Sequence, residues 1–241
     1  MLEQLWKGFC DFVYPRVCLL CQQGLPSLDK KIPLCSFCLH TLEINIPPFC
    51  QRCCSHLHTP NEDSLCVRCQ RQKFNFDRVW AVSRYNDSLR RLIHLFKYKH
   101  KTILRYQLAH LVTDFFNTYQ FPFPFYDFIT PMPLHPARLR ERGYNQSELL
   151  AELISQRLAI PLSTNLKRIR HTPFQANCTQ KERWTNIFGA FKIKYPSYSL
   201  KKSFLLVDDL MTTGATASEA ARILKEDGAR RVDVLTLAVV D

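Results

Sequence analysis

The sequence predicts an α/β protein with a mostly parallel sheet, preceded by a small zinc-binding domain. Residues 204–207 form an apolar run with the length of a buried strand in a parallel sheet. Two acids and a Thr/Gly turn follow, and apolar residues then recur at helical spacing from Ala217 to Leu224. Four Cys-x-x-Cys pairs lie before residue 70. A strand–turn–helix unit is where α/β sheets bind ligands, at the carboxyl edge of the strands.

Length and composition suit a two-part chain. The 241 residues are enough for one ordinary domain and a smaller one, which we place at 73–241 and 1–72. Hydrophobic residues make up 46% of the chain, enough for a packed core. The formal charge of +12 favours polyanionic partners, either nucleic acid or a pyrophosphate substrate.

The N-terminal residues predict neither a signal peptide nor a membrane span. Their apolar runs are interrupted by Lys7, Asp11 and Arg16. We therefore expect a cytoplasmic protein. In a protein that is not exported, paired cysteines are expected to bind metal rather than to form disulfides.

The cysteine pairs predict two structural zinc sites. A Cys-x-x-Cys turn places two thiolates on one zinc, and two such turns complete a tetrahedral site. The eight predicted ligands are Cys18, Cys21, Cys35, Cys38, Cys50, Cys53, Cys66 and Cys69. We favour sequential pairing, in which the first two pairs share one zinc, over a cross-braced arrangement. Cys54, His56 and His58 are alternative ligands beside the third pair.

A basic segment follows the cysteines. Residues 78–85 are predicted to form a strand, and the stripe of Leu89, Leu92, Ile93 and Phe96 predicts an amphipathic helix. Five cations off that stripe or just beyond it are candidates for contacting nucleic-acid phosphates. They are Arg90, Arg91, Lys97, Lys99 and Lys101. The alternative interpretation is a solvated helix face that ends in a basic turn.

A second basic stretch follows a short predicted strand at 126–130. Arg138, Arg140 and Arg142 are predicted to lie on one loop, before a helix that opens after Gly143. Three arginines on a loop suit an anionic group such as pyrophosphate.

The turn after residue 207 has the composition of a phosphate site. Backbone N–H groups at a helix N-terminus carry partial positive charge, and a glycine lets the backbone approach an anion closely. Asp208 and Asp209 precede the turn and could accept hydrogen bonds from vicinal sugar hydroxyls or engage a cation. Together these features describe a ribose 5-phosphate site.

The order of residues from 204 to 216 resembles the phosphoribosyl pyrophosphate (PRPP) loop of the type I phosphoribosyltransferases. The resemblance implies that Asp208 and Asp209 hold the ribose 2′ and 3′ hydroxyls, and that PRPP binds with magnesium. It also implies a 5′-phosphate site formed by Met211, Thr212, Thr213, Gly214, Ala215 and Thr216.

Over most of its length the chain resembles the ComF/GntX-like family. The resemblance rests on PMPLHPARLRERGYNQSELLAELI at 131–154, on residues 170–175 and 183–191, and on the double zinc ribbon. Met132 and Tyr144 depart slightly from the family pattern. The family implies a type I phosphoribosyltransferase-like fold with helices flanking the sheet. Residues 163–181 resemble the mobile loop that closes over PRPP, which implies that Gln175, Lys181 and Arg183 reach the pyrophosphate when it closes. Arg138 and Arg142 of the arginine-rich loop are the other predicted pyrophosphate ligands. The alternative for 163–181 is an ordinary polar surface loop.

The resemblance also implies a role in natural competence, in which imported single-stranded DNA is handled in the cytoplasm. The expected partners are PRPP, single-stranded DNA and proteins of the competence machinery, such as a helicase or a single-strand-binding protein. Three functions fit: a phosphoribosyltransferase in which Asp208 and Asp209 position the ribose, a non-catalytic DNA-binding adaptor, and a PRPP-sensing regulator. No general base and no pocket for an acceptor base is evident in the sequence.

Overall fold

The computed structural model describes residues 16–25, 33–57, 64–119, 121, 125–172 and 180–240. Two short helices belong to the cysteine-rich part: α1 (Ser36–His40) and α2 (Val67–Arg71). The elements that follow are β1 (Arg78–Ala81), α3 (Asp87–Tyr98), α4 (Leu104–Tyr119), β2 (Phe128–Pro131), α5 (Pro136–Arg142), α6 (Gln146–Leu158), β3 (Leu166–Arg168), α7 (Gln180–Ile187), β4 (Phe191–Ile193), β5 (Ser203–Met211), α8 (Ala215–Glu226) and β6 (Arg231–Val239).

The main sheet is four-stranded and parallel throughout, with the order β1-β6-β5-β2. This confirms the predicted parallel sheet with flanking helices. The two central strands are the apolar ones, as expected for strands buried on both faces. Strands β3 and β4 form a separate antiparallel pair.

The two faces of the sheet bury different helices. Leu205 and Val207 belong to an apolar cluster with residues of α3, α4 and α6. Phe204 and Leu206 point the other way, as alternation along a strand requires, and pack with α8. Cys18 lies in the first cluster and Cys53 in the second. The predicted domain division after residue 72 remains a prediction.

Strand β5 is longer than the sequence predicts. The apolar run ends at Val207, but the strand continues to Met211 because β6 offers pairing partners up to Val239. Asp208 and Asp209 consequently lie within a strand rather than in the loop after it. Strand β1 is shorter than predicted and ends at Ala81.

The arginine-rich stretch also differs from the prediction. Residues 136–142 form the helix α5 rather than a loop. Pro136 occupies its first turn, where the missing N–H costs nothing, and the His135 Nδ1 accepts a hydrogen bond from the Ala137 N–H. Gly143 ends the helix at a φ of 77°, in the left-handed region that favours glycine.

None of the helices in the described ranges combines the length and the apolar character needed to cross a bilayer.

Candidate functional site

The eight predicted zinc ligands form two groups. Cys18, Cys21, Cys35 and Cys38 lie together, as do Cys50, Cys53, Cys66 and Cys69, and in each group all four sulfurs lie within 4.8 Å of one another. This confirms the sequential pairing and excludes the cross-braced one. We call the two groups cluster 1 and cluster 2. Among the described residues, Cys54 and His56 lie outside both groups, and the Cys54 Sγ accepts a hydrogen bond from Asn45. His58 lies outside the described residues.

The geometry and charge of both clusters fit zinc. Four thiolates at about 2.3 Å from a tetrahedral zinc would lie about 3.8 Å apart. The Sγ atoms of Cys21 and Cys35 are 3.6 Å apart, and those of Cys53 and Cys66 are 3.5 Å apart. Burial raises the pKa of Cys18, but nearby backbone N–H groups outweigh it and lower the value to about 6. Burial and the neighbouring thiols raise the pKa of Cys38. A divalent cation would let all four thiols ionise together.

A cavity of about 420 Å³ opens at the carboxyl edge of the sheet. Its lining comes from α3, α5, the start of α6, β3, α7, the end of β5 and the start of α8. The parallel sheet explains this convergence, because the carboxyl ends of its strands meet at one edge. Most of the residues predicted for the PRPP site that have described side chains therefore border one space.

The two acids of β5 lie at the base of this cavity, and each already has a partner. The Ser147 hydroxyl and the Asp209 backbone N–H both donate to Oδ1 of Asp208, at 3.2 and 2.9 Å. The Lys97 Nζ lies 2.7 Å from Oδ1 of Asp209, whose side chain is 9% exposed. These contacts hold one oxygen of each carboxylate, and both residues line the cavity.

Opposing effects set the pKa of Asp208 in the acid pair. Burial raises the pKa of Asp208, the negative charge of Asp209 raises it further, and Lys97 counteracts them, so that the value is about 7. Burial lowers the pKa of Lys97, but the carboxylate of Asp209 outweighs it and raises the pKa overall. Lys97 therefore stays charged at neutral pH, while Asp208 titrates near it.

Lys97 was predicted to belong to the exposed basic patch, but its side chain lies inside, at the acid pair. Arg90, Arg91, Lys99 and Lys101 are exposed on or beside α3, whereas Lys97 turns inward to the acids. Lys97 stands four residues after Ile93, at the border of the buried stripe of α3. This position was the sequence signal for an inward-pointing cation.

The predicted phosphate turn lies between β5 and α8. Thr212, Thr213, Ala215 and Thr216 line the cavity, whereas Met211 is buried in β5. Gly214 caps α8 at a φ of 77°, and the Thr213 hydroxyl accepts a hydrogen bond from the first helical N–H, that of Ala215, at 3.4 Å. A Cβ on Gly214 would lie 3.0 Å from the ring of Phe74, so space and backbone both require glycine. The N–H groups of Thr216 and Ala217 follow in the first turn, where an α-helix offers them no intrahelical partner, and such groups suit an anion.

Positively charged side chains also line the cavity. Arg138 and Arg142 from α5 and Arg183 from α7 all border it. The Arg183 guanidinium donates to the Thr212 hydroxyl at 3.4 Å, and that of Arg142 donates to the Gln146 Oε1 at 2.7 Å. Gln175 and the Lys181 side chain lie outside the described residues.

Sequence reasoning missed other lining residues, namely His135, Gln146, Arg168 and His171. Arg168 lies in the segment that resembles a mobile loop, but β3 fixes it beside the cavity. Burial lowers the pKa of Arg168, and its Nε has no hydrogen-bond partner. The Gln146 side chain is 1% exposed and its Nε2 also lacks one. Both residues line the cavity and carry a buried donor without a partner, which suits an oxygen-rich ligand.

Comparison with known proteins places the chain in a family. No family model matches it. The chain is 32% identical to competence protein F of Haemophilus influenzae over 227 residues, 92% of this chain and 96% of that protein. It is 29% identical to the DNA utilization protein YhgH of Salmonella typhi, over 92% and 96% of the two chains.

Among solved structures, an adenine phosphoribosyltransferase overlaps 61% of this chain and 75% of its own, with 13% identity and a TM-score of 0.39. These values are too low to support conclusions about the site. The near full-length match to competence protein F decides the assignment, and the chain belongs to the ComF family.

Proposed function

We propose that this protein binds PRPP, as its magnesium complex, in the cavity at the carboxyl edge of the sheet. The observation that carries the proposal is that two carboxylates and a helix N-terminus border the same cavity. Two carboxylates lie near the C-terminal end of β5, and the N-terminus of α8 follows a few residues further along the chain. The first suits vicinal hydroxyls and the second suits a phosphate.

The acid pair supports hydroxyl binding better than the direct holding of a metal ion. Lys97 neutralises part of the charge on Asp209, and Ser147 occupies one oxygen of Asp208. Magnesium prefers several oxygen ligands and retains its waters, so it would be carried mainly by the pyrophosphate. The chain's own contribution would be the remaining carboxylate oxygens.

The basic side of the cavity supports a pyrophosphate position. Arg138, Arg142, Arg168 and Arg183 line the same cavity as the two acids. In a transferase these cations would stabilise the charge that develops on pyrophosphate as its bond to the ribose breaks. Asp208 and Asp209 would hold the ribose in place while an acceptor approaches the anomeric carbon.

The names of its relatives, competence protein F and DNA utilization protein, support a role in DNA uptake. We place this role in the cytoplasm, on imported single-stranded DNA. A second function, a non-catalytic DNA adaptor, is favoured by one observation. Arg90 and Tyr98 border the cavity from the same helix that exposes Arg91, and Lys99 follows directly. A strand held by this basic patch could place a terminal phosphate in the cavity.

Calorimetry of the zinc-loaded protein with PRPP and magnesium tests the proposal. We expect saturable binding that is lost when Asp208→Asn and Asp209→Asn are combined. Asp114→Asn with Glu226→Gln is the control, since it removes two acids that do not line the cavity. Equal affinity in both double variants would exclude the acid pair as the ribose site.

The same titration with single-stranded DNA separates the two functions. PRPP binding without DNA competition supports the transferase. Tight DNA binding without PRPP binding would favour the adaptor and overturn the proposal.

A further inference from the structure

Cluster 2 lies against the predicted phosphate turn. Arg68, between the ligands Cys66 and Cys69, donates from NH1 to the backbone oxygen of Thr212 at 3.0 Å. Its NH2 donates to the Ser55 hydroxyl at 3.3 Å, next to the ligand Cys53. One guanidinium therefore joins two parts of the cysteine segment to the turn that leads into α8.

Phe74 forms a second link between the cysteine segment of cluster 2 and the turn before α8. Its ring fills the space that a side chain at position 214 would need, with a closest approach of 3.0 Å. The Arg52 NH2 holds the backbone oxygen of Phe74 at 3.2 Å, and Arg52 lies between the ligands Cys50 and Cys53. The Arg68 guanidinium also lies 5.9 Å from the ring centroid of Phe74.

A third link reaches the first turn of α8. The backbone N–H and the side-chain amide of Asn75 both donate to the Ser218 hydroxyl, at 3.0 and 3.1 Å. The segment from Arg68 to Asn75 thus contacts the turn before α8, the glycine that caps it and the helix itself. Each contact spans more than 130 positions in sequence.

We infer that cluster 2 positions the phosphate turn, and that Arg68 is the positioning residue that connects them. This inference rests on the proposed function for its consequence, but not for its geometry. The turn has a left-handed glycine, and the contact from the Ala215 N–H to the Thr213 hydroxyl, at 3.4 Å, does not involve the carbonyl of Thr212. Arg68 is the donor to that carbonyl. A charged donor on that carbonyl holds the peptide plane, and with it the direction of the N–H groups that follow.

Arg68→Met tests the inference in the full-length, zinc-loaded protein. Methionine keeps the apolar stem and removes every donor. We expect faster hydrogen exchange at the amides of residues 212–216 and an affinity for PRPP about tenfold weaker, the effect of losing one charged hydrogen bond. The zinc content and the melting temperature should stay close to those of the unchanged protein.

Two further variants make the result specific. Arg68→Lys retains one charged donor and should restore part of the affinity and of the exchange protection. Arg71→Met removes an exposed cation from the same helix and should change neither. Wild-type exchange at 212–216 in Arg68→Met would overturn the inference. Because that exchange is measured without ligand, it tests the positioning role even if the protein proves not to bind PRPP.

Discussion

The two cysteine clusters have the same ligands and nearly the same spacing, yet they differ in their neighbours. Cluster 1 packs against the face of the sheet that carries α3, where Arg91 donates to the backbone oxygen of Leu20 at 2.5 Å. Cluster 2 packs against the opposite face and contacts the turn before α8 through Arg68. Cluster 1 is also the more open of the two, because its Cys21 is exposed.

Because of this difference, each cluster lies next to a different part of the candidate site. Helix α3, next to cluster 1, supplies Lys97 to the acid pair and carries the exposed basic patch. The segment that carries cluster 2 contacts the predicted phosphate turn through Arg68. Two metal sites of identical composition can therefore serve a fold differently, and the contacts of the residues between the ligands decide how.

The largest effect is expected from removing one ligand of each cluster. Cys38→Ser and Cys69→Ser are matched, since each replaces the last, buried cysteine of its group. A structural zinc can contribute about 10 kcal/mol to folding, so each variant should retain one zinc and melt at a lower temperature. Below both melting temperatures, Cys69→Ser should lose PRPP binding, whereas Cys38→Ser should retain it at reduced affinity. Equal losses, measured by calorimetry, would contradict the division of roles.

An intermediate effect is expected at the acid pair. In the folded protein the pKa of Asp208 is about 7, above its ordinary value of 3.8, so the folded state binds the proton more tightly than the unfolded chain. The contribution of Asp208 to the free energy of unfolding therefore falls as pH rises from about 4 to 7. Lys97→Met removes a charge that lowers this pKa, so the midpoint should move above 7.

Carbon NMR of the aspartate carboxyls measures this midpoint directly. PRPP affinity should decrease when the pH is lowered past the midpoint, because Asp208 then becomes protonated. Lys99→Met, an exposed change beside the same helix, serves as the control. An unshifted midpoint in Lys97→Met would show that α3 does not tune the acids.

The smallest effect on PRPP binding is expected from the basic patch. Lys99→Gln combined with Lys101→Gln removes two exposed cations that do not line the cavity. If both contact DNA phosphates, the slope of log K against log[salt] for single-strand binding should become less negative by about 1.4, and PRPP affinity should stay unchanged. A constant slope would place the DNA contacts elsewhere.

Much of the molecule follows from local sequence patterns. The grouping of the cysteines, the apolar character of the buried strand and the position of Asp208 and Asp209 near its end are each written in short stretches of sequence. A Cys-x-x-Cys turn, a buried strand and an amphipathic helix carry their signals within a few residues. Sequence alone therefore determined the two cysteine groups, the fold class and the family.

Tertiary structure decided how these parts cooperate. The extension of β5 to Met211 depended on its neighbour β6, and α5 formed where a loop was expected. Lys97 reaches Asp209 because Asp209 follows Leu205 and Val207 on the face of β5 that α3 covers. Arg68 reaches Thr212 across 144 positions. Such contacts carry no local signal, since the order of strands and the packing of the layers bring the two residues together.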